Sequence, residues 1–252
     1  MPPGSDLVER WRARPDQAGL FVDFDGTLAG IVEDPLEARP WPEALGLLSG
    51  LAVRYARVAV VSGRPVDFLA AHLTVPGVVL SGLYGLELWE GGRVVTEPRA
   101  EVWRAAVAAA ADRAAAELPA SVGVERKGLS VTLHVRTAPE HERSVRTWAD
   151  QAAASSGLVL HRARRSYELR PPVDADKGTA VRTLAQGLSA VCFIGDDLGD
   201  LPAFRVLEDL DRAGVTTLRV AVTSDESPPE LLATADLLVE GPAGAVTFLK
   251  SL

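Results

Sequence analysis

Two acidic clusters carry the chemistry this sequence can do. Asp23-Phe24-Asp25-Gly26-Thr27 follows the apolar run Gly19-Leu20-Phe21-Val22, and Gly195-Asp196-Asp197-Leu198-Gly199-Asp200 follows Val191-Cys192-Phe193-Ile194. Carboxylates gathered just past strand ends repel one another unless a cation neutralises them. The pattern therefore calls for a divalent metal, with Asp196 and Asp200 completing an oxygen shell begun at Asp23. In extended chain, residues two apart face the same way, so Asp23 and Asp25 can address one ligand while Phe24 faces the other side. An aspartate nucleophile is already ionised at neutral pH. What opposes it is repulsion from an anionic phosphate, which a Mg²⁺ bridging Asp23 and a phosphate oxygen would remove. Asp25 could protonate the leaving alcohol and later deprotonate the attacking water. Gly26 lets backbone amides approach phosphate oxygens, and Thr27 adds a hydroxyl.

Two shorter motifs fit the same chemistry. Val61-Ser62-Gly63-Arg64 ends another apolar run and offers the Ser62 hydroxyl, the Gly63 amide and the Arg64 guanidinium to a phosphate. Asp176-Lys177-Gly178 opens a helix, where a cation opposes the macrodipole unless an anion lies beside it. Of 26 basic residues only Lys127, Lys177 and Lys250 are lysine, which makes the first two functional candidates and leaves Lys250 to the surface. A calcium loop is a competing reading of Asp23 and Asp25. It needs glycine at its sixth position and glutamate at its twelfth, where this chain has Leu28 and Asp34.

The elements that must position these groups alternate. Apolar strand-like runs lie at 19–24, 57–62, 77–81, 191–195, 217–222 and 236–240. Helical patterns start at Pro42 (stripe Leu45, Leu48, Leu51, Tyr55), after Asp174, at Pro202, after Pro228-Pro229 and at Ala243. Such alternation predicts a parallel sheet covered on both faces, with ligands beyond the carboxyl ends of the strands. The middle reads differently: an Ala-rich helix over 99–117, strands at 121–126 and 129–136, a helix from Pro139 to about Ser155, and strands at 157–162 and 166–170. The fold class is therefore α/β: a Rossmann-like parallel-sheet core over 1–97 and 173–252, with an inserted α+β unit over 98–172.

Composition bounds the function. A net charge of -8 argues against a nucleic-acid partner. No basic leader with an apolar stretch opens the chain, and no run approaches the ~20 apolar residues of a membrane helix, so no membrane partner and a cytoplasmic location are expected. The single cysteine, Cys192, reads as a small core residue.

In order and type, Asp23-x-Asp25-Gly-Thr, Ser62, Lys177 and Gly-Asp196-Asp197 resemble the motifs of the haloacid-dehalogenase superfamily of phosphotransferases. The insertion between Ser62 and Lys177 falls where that family carries its larger cap. The resemblance implies Asp23 as nucleophile and Asp25 as acid and base. It implies that Ser62 and Lys177 hold the phosphoryl group, and that Asp23, the Asp25 backbone carbonyl and Asp196 bind Mg²⁺.

Within that superfamily, Glu125-x-Lys127, Leu133-His134-Val135-Arg136, Tyr167-Glu168-Leu169-Arg170-Pro171 and Gly82-Leu83-Tyr84-Gly85-Leu86-Glu87 resemble segments of the trehalose-6-phosphate phosphatase family. This implies that Glu125, Lys127, Arg136 and Glu168 contact a disaccharide, that the cap sets specificity, and that a trehalose-6-phosphate synthase is a functional partner. The two-domain layout leads to the expectation that the cap closes over the site. The chain departs from the family at Gly199-Asp200-Leu201 and at Tyr84. Other phosphorylated glycosides (sucrose-6-phosphate, glycosyl-3-phosphoglycerate), a sugar phosphomutase and a non-catalytic sugar-phosphate-binding domain stay open as alternatives.

Overall fold

The apolar runs around the acidic clusters become the central strands of one sheet. The structure, a computed structural model, describes residues 5–32, 34–163, 165–225 and 227–252. The first stretch forms α1 (Ser5–Arg12), β1 (Ala18–Val22), α2 (Ala44–Arg54), β2 (Arg57–Val61), α3 (Val66–Leu73), β3 (Val78–Gly82), β4 (Glu87–Glu90) and β5 (Arg93–Thr96). The middle forms α4 (Pro98–Glu101), α5 (Arg104–Glu117), β6 (Gly123–Arg126), β7 (Val131–His134), α6 (Glu142–Ser156), β8 (Val159–Ala163) and β9 (Ser166–Arg170). The last stretch forms α7 (Lys177–Leu184), β10 (Ala190–Gly195), α8 (Leu201–Arg212), β11 (Thr216–Thr223), α9 (Pro229–Thr234), β12 (Leu237–Glu240) and α10 (Gly241–Ser251). One unit comprises the chain up to Val95 and Ala175–Leu252; a second comprises Thr96–Asp174.

Among the described residues, the first unit's sheet has eight strands in the order β12-β11-β10-β1-β2-β3-β4-β5. From β12 to β3 the pairing is parallel, and β4 runs antiparallel to β3. The chain steps outward from β1 to β2 and β3, then returns to the other edge of β1 as β10. Strand order thus reverses between β1 and β10, the crevice where open α/β sheets bind ligands. Asp23 follows β1 and Asp196 follows β10, and the Asp23 N–H donates to the Ile194 carbonyl at 2.9 Å.

Every residue of β1 and β10 is buried, as expected of parallel strands covered on both faces. Leu20 and Val22 pack into one layer with Leu48 and Leu51 of α2 and Phe248 of α10. Cys192 lies in that layer, as its apolar surroundings in sequence suggested. Phe21 points the other way, against Phe193, Val181 of α7 and Phe204 of α8. Each such large apolar side chain contributes about 1.5–3 kcal/mol of burial, so the strand ends bearing the aspartates are firmly anchored.

The second unit is an antiparallel sheet in the order β6-β7-β9-β8. Val131, Leu133, Tyr167 and Leu169 share one face and pack on Val107, Ala110 and Ala114 of α5 and Val145 and Ala149 of α6. The alternate residues, Glu125, Thr132 and Glu168, lie on the opposite face.

Some sequence expectations shift. Ala44 and not Leu45 lines the buried side of α2; Leu45 is exposed. The helix expected over 99–117 breaks between α4 and α5, and Val102 at the break is 78% exposed. β7 ends at His134, short of the expected 136, although the Val135 N–H still bonds the Arg165 carbonyl at 3.0 Å in the same register; Arg136 lies in the turn beyond. Among the described residues no helix is long and apolar enough to cross a membrane.

Candidate active site

At the switch point Asp23, Asp196 and Asp200 each offer an oxygen within 4.8 Å of the others. Lys177 Nζ lies 2.6 Å from Asp23 Oδ1 and donates to Asp200 Oδ1, also at 2.6 Å. Lys177 is the first residue of α7, whose start is fixed by a capping box between Asp176 and Thr179. Its ammonium, unfavourable at a helix N-terminus in isolation, is offset here by two carboxylates. Asp200 is fully buried, and its Oδ2 accepts from the Asp196 N–H at 2.8 Å and the Asp197 N–H at 3.1 Å. With three donors on its two oxygens, Asp200 fixes the turn that presents Asp196. Thr27 Oγ1 donates to Asp196 Oδ1 at 3.3 Å. Gly26 sits at φ +81°, and a Cβ there would meet Asp196 Oδ2 at 2.1 Å, so any side chain at position 26 would displace Asp196.

Crowding shows in the proton affinities. Burial pushes the Asp23 carboxyl well up, Lys177 pulls it back, and Asp200 and Asp196 push it up again. Burial, then Asp200 and Asp197, raise Asp196 from 3.8 to about 7. Burial raises Asp200 to about 6 against the pull of Lys177. Burial works against the Lys177 charge, but Asp200 and Asp23 outweigh it and hold its pKa well above the ordinary range.

With all ionised, these three carboxylates and one ammonium leave two negative charges, the charge of one divalent cation. The donors are all carboxylate oxygens, the set that hard cations such as Mg²⁺ take. The residues present therefore fit a Mg²⁺ held by Asp23 and Asp196 beside Asp200. Because the folded-state pKa values are raised, the metal-free fold loses stability as pH climbs from 3.8 toward about 7, while cation binding needs the carboxylates ionised. Adding Mg²⁺ to the metal-free protein at one fixed concentration, about a hundredfold above its Kd at pH 8, is expected to raise Tm by about 5–10 °C at pH 8 and by less at pH 5.5, where protonated carboxylates weaken binding. Thermal unfolding at the two pH values checks this; equal shifts would contradict it.

The second aspartate of the first motif is held differently. Arg64 grips Asp25 with two hydrogen bonds, Nε to Oδ2 at 2.8 Å and Nη2 to Oδ1 at 2.7 Å. The guanidinium also lies over the Phe68 ring, 4.6 Å from its centroid. Arg64, expected beside the phosphate, is thus bound to Asp25, whose side chain lies outside the three-carboxylate group. Ser62 is buried, and its Oγ accepts from the Arg64 N–H at 3.1 Å. A Cβ on Gly63 would lie 2.6 Å from the Tyr84 hydroxyl oxygen, so glycine alone lets that ring close on the Ser62 turn. Tyr84 holds a left-handed backbone (φ 61°, ψ 30°), secured by its N–H on the Ser62 carbonyl at 3.0 Å. Glu87 accepts from the Val66 N–H at 3.0 Å and caps α3.

The second unit carries its own polar network. Lys127 Nζ lies 3.6 Å from both Glu125 Oε2 and Glu168 Oε1. Ser130 Oγ donates to Glu168 Oε1 at 2.6 Å, Arg170 Nε donates to Glu168 Oε2 at 2.8 Å, and His134 Nε2 pairs with Glu125 Oε2 at 2.8 Å. Glu125, Lys127 and Glu168, expected together, are together. Arg136 is not among them: it is exposed in the turn after β7 and makes no hydrogen bond or ion pair with the network. Ser130 was not singled out in sequence, and no motif marked it.

The chain is similar to known proteins over most of its length. A family described as Trehalose-phosphatase matches residues 21–235. The trehalose-phosphate phosphatase of Mycobacterium marinum is 31% identical over 98% of this chain and 66% of its own length. That of Mycobacterium tuberculosis is 36% identical over 76% and 51%. The chain therefore spans two thirds or less of the relatives it matches. The C-terminal domain of Candida albicans trehalose-6-phosphate phosphatase shares the fold, with a TM-score of 0.77 and 20% identity over 98% of this chain and 96% of that one. So does the C-terminal domain of a Candida albicans trehalose synthase regulatory protein, with a TM-score of 0.69 and 14% identity over 97% of each.

Proposed function

This chain belongs to the trehalose-phosphatase family, and we propose that it hydrolyses trehalose-6-phosphate to trehalose and phosphate through a phosphoaspartate on Asp23. One observation supports this above the rest: the buried Asp23–Lys177–Asp200 chain with Asp196 beside it. Fold alone would not decide, since the same fold occurs in a trehalose synthase regulatory protein. The residues support catalysis over binding alone, because a binding domain has no need of a buried carboxylate backed by a lysine and a carboxylate pair.

In the proposed reaction Asp23 Oδ attacks phosphorus and the P–O bond to the sugar breaks. Asp25, which has to enter the cycle protonated, gives that proton to the departing sugar oxygen. Asp25 then takes a proton from water as the water oxygen attacks phosphorus, which breaks the bond to Asp23 and releases phosphate. Lys177 favours the ionised, attacking form of Asp23 and then offsets charge on the phosphoryl oxygens. Mg²⁺ bound at Asp23 and Asp196 would screen carboxylate from phosphate and align the attack. Ser62 and the amides around Gly26 and Gly63 hold the remaining phosphoryl oxygens. Arg64 holds both Asp25 oxygens in this structure, so one of these bonds has to open for Asp25 to carry and pass the proton. We assign the sugar to Glu125, Lys127 and Glu168, whose mixed donors and acceptors suit a polyhydroxylated ligand.

Phosphate release from trehalose-6-phosphate, sucrose-6-phosphate, glucose-6-phosphate and glucosyl-3-phosphoglycerate, each with Mg²⁺ or EDTA, tests the reading. The first is expected to turn over fastest, and EDTA to abolish it. Preference for another sugar would move the specificity; no release from any would sink the hydrolase reading. Glu168→Gln is expected to lower kcat/KM on trehalose-6-phosphate about 10–100-fold, the cost of a hydrogen bond to a charged group. Parallel kinetics on p-nitrophenyl phosphate would show an equal loss if Glu168 only supported the fold.

A further inference from the structure

Strand register in the second unit places Glu125, Thr132, Glu168 and His161 in one row across β6, β7, β9 and β8. Most polar groups in this patch satisfy one another. Glu168 holds Ser130, Lys127 and Arg170; Glu125 holds His134 and Lys127. Thr132, at the centre of the row, is outside that exchange. It is 4% exposed, and its Oγ1 is a buried polar atom without a hydrogen-bond partner.

Nothing in the fold asks for that hydroxyl. The core contacts of β7 come from Val131 and Leu133 on the other face. At position 132 the strand needs only a β-branched shape, which valine supplies equally. A buried hydroxyl left unpaired costs stability. A residue kept at that cost, between two carboxylates, points to a ligand that completes it.

We propose that Thr132 Oγ1 is a specificity-determining contact to a hydroxyl of the substrate's sugar. The assignment rests on the sugar-phosphate phosphatase reading above. The chemistry matches: Glu125 and Glu168 only accept, Lys127 and Arg170 only donate, and the threonine hydroxyl does both. Sugar hydroxyls also do both, so each can donate to a carboxylate while exchanging a bond with Thr132. A site built to bond a particular hydroxyl rejects ligands that lack it far more strongly than an apolar pocket rejects a misfit.

Thr132→Val and Thr132→Ser in the full chain test this, by kcat/KM on trehalose-6-phosphate and on p-nitrophenyl phosphate, which has no sugar, and by thermal unfolding. The ratio of the two kcat/KM values is expected to fall about tenfold or more in Thr132→Val and to stay near wild type in Thr132→Ser. Tm of Thr132→Val is expected to match or exceed wild type, because an unpaired buried hydroxyl has gone. An unchanged ratio in Thr132→Val overturns the assignment, and so does a lowered Tm with equal losses on both substrates, which would make Thr132 structural. Should the wild type prefer another glycosyl phosphate, the ratio taken with that sugar decides in the same way. A wild type that releases phosphate from p-nitrophenyl phosphate but from no glycosyl phosphate overturns the functional reading, and this assignment with it.

Discussion

Asp23→Asn is expected to reduce phosphate release at least about 10⁴-fold with every substrate, sugar or not, while leaving the fold intact. The amide cannot form the phosphoaspartate, and loss of a covalent nucleophile is among the most damaging single changes an active site can suffer. The stability half of the prediction separates chemistry from unfolding. Asp23 is 3% exposed, and burial with its acidic neighbours pushes its carboxyl well up. Asparagine removes one of the crowded charges at nearly constant volume, and Lys177 keeps Asp200 as its partner. The metal-free variant should therefore melt no lower than the metal-free wild type, the usual trade of stability for activity at a charged site. Mg²⁺ should stabilise it less, because one ligand oxygen is gone. Rates on trehalose-6-phosphate and p-nitrophenyl phosphate, with melting curves in EDTA and in Mg²⁺, check both halves. Appreciable residual turnover would refute Asp23 as nucleophile; a sharply lowered Tm in EDTA would refute the charge argument.

Much of the core was legible because its signals are local. β1 and β10 are unbroken apolar runs ending in aspartates, and parallel strands buried on both faces read that way. What the sequence could not express is partnership across the sheet. That Arg64 belongs to Asp25, 39 positions away, follows from the placement of β2 beside β1 and from no spacing rule. Asp200, read in sequence as another metal ligand, does stand with Asp23 and Asp196, but that its oxygens also hold two backbone N–H groups and Lys177 has no sequence signal. Some misses were avoidable: Gly91-Gly92 between Glu90 and Arg93 is a two-residue hairpin signal, and it joins β4 to β5.

The second unit was legible in alternation but not in extent. Period two put Thr132 and His134 on one face, which the register bears out. The same rule carried Arg136 onto that face, but the strand ends at His134 and Arg136 lies exposed in the turn beyond it. Periodicity assigns faces only while the strand lasts, and strand ends are set by pairing. The partnerless state of Thr132 Oγ1 had no sequence signature at all, since it depends on which neighbours satisfy one another in three dimensions.

Lys177→Met is expected to cost the metal-free protein about 3–5 kcal/mol, the range for removing one partner of a buried ion pair. Lys177 and Asp23 are each under 5% exposed and Asp200 is fully buried. Without the ammonium, Asp23, Asp196 and Asp200 face one another uncompensated. Two dependences identify the cause. Asp196 at about 7 and Asp200 at about 6 already stand above 3.8, and removal of the cation raises them further. Groups with raised folded-state values give stability that is present at low pH and lost as pH rises through those values. The wild type, by contrast, loses its lysine–carboxylate attraction as the carboxylates protonate. The deficit of the variant should therefore shrink toward pH 5 and be largest near pH 8. Mg²⁺ should recover part of it, by replacing one positive charge with two at the same carboxylates. It should not recover activity, because the ammonium that favours ionised Asp23 and offsets phosphoryl charge is still missing. Denaturant unfolding at pH 5 and pH 8, with EDTA or Mg²⁺, decides the matter. A deficit independent of both pH and Mg²⁺ would mean that Lys177 acts by packing its methylene stem, and that the charge balance argued for this site is not what holds it together.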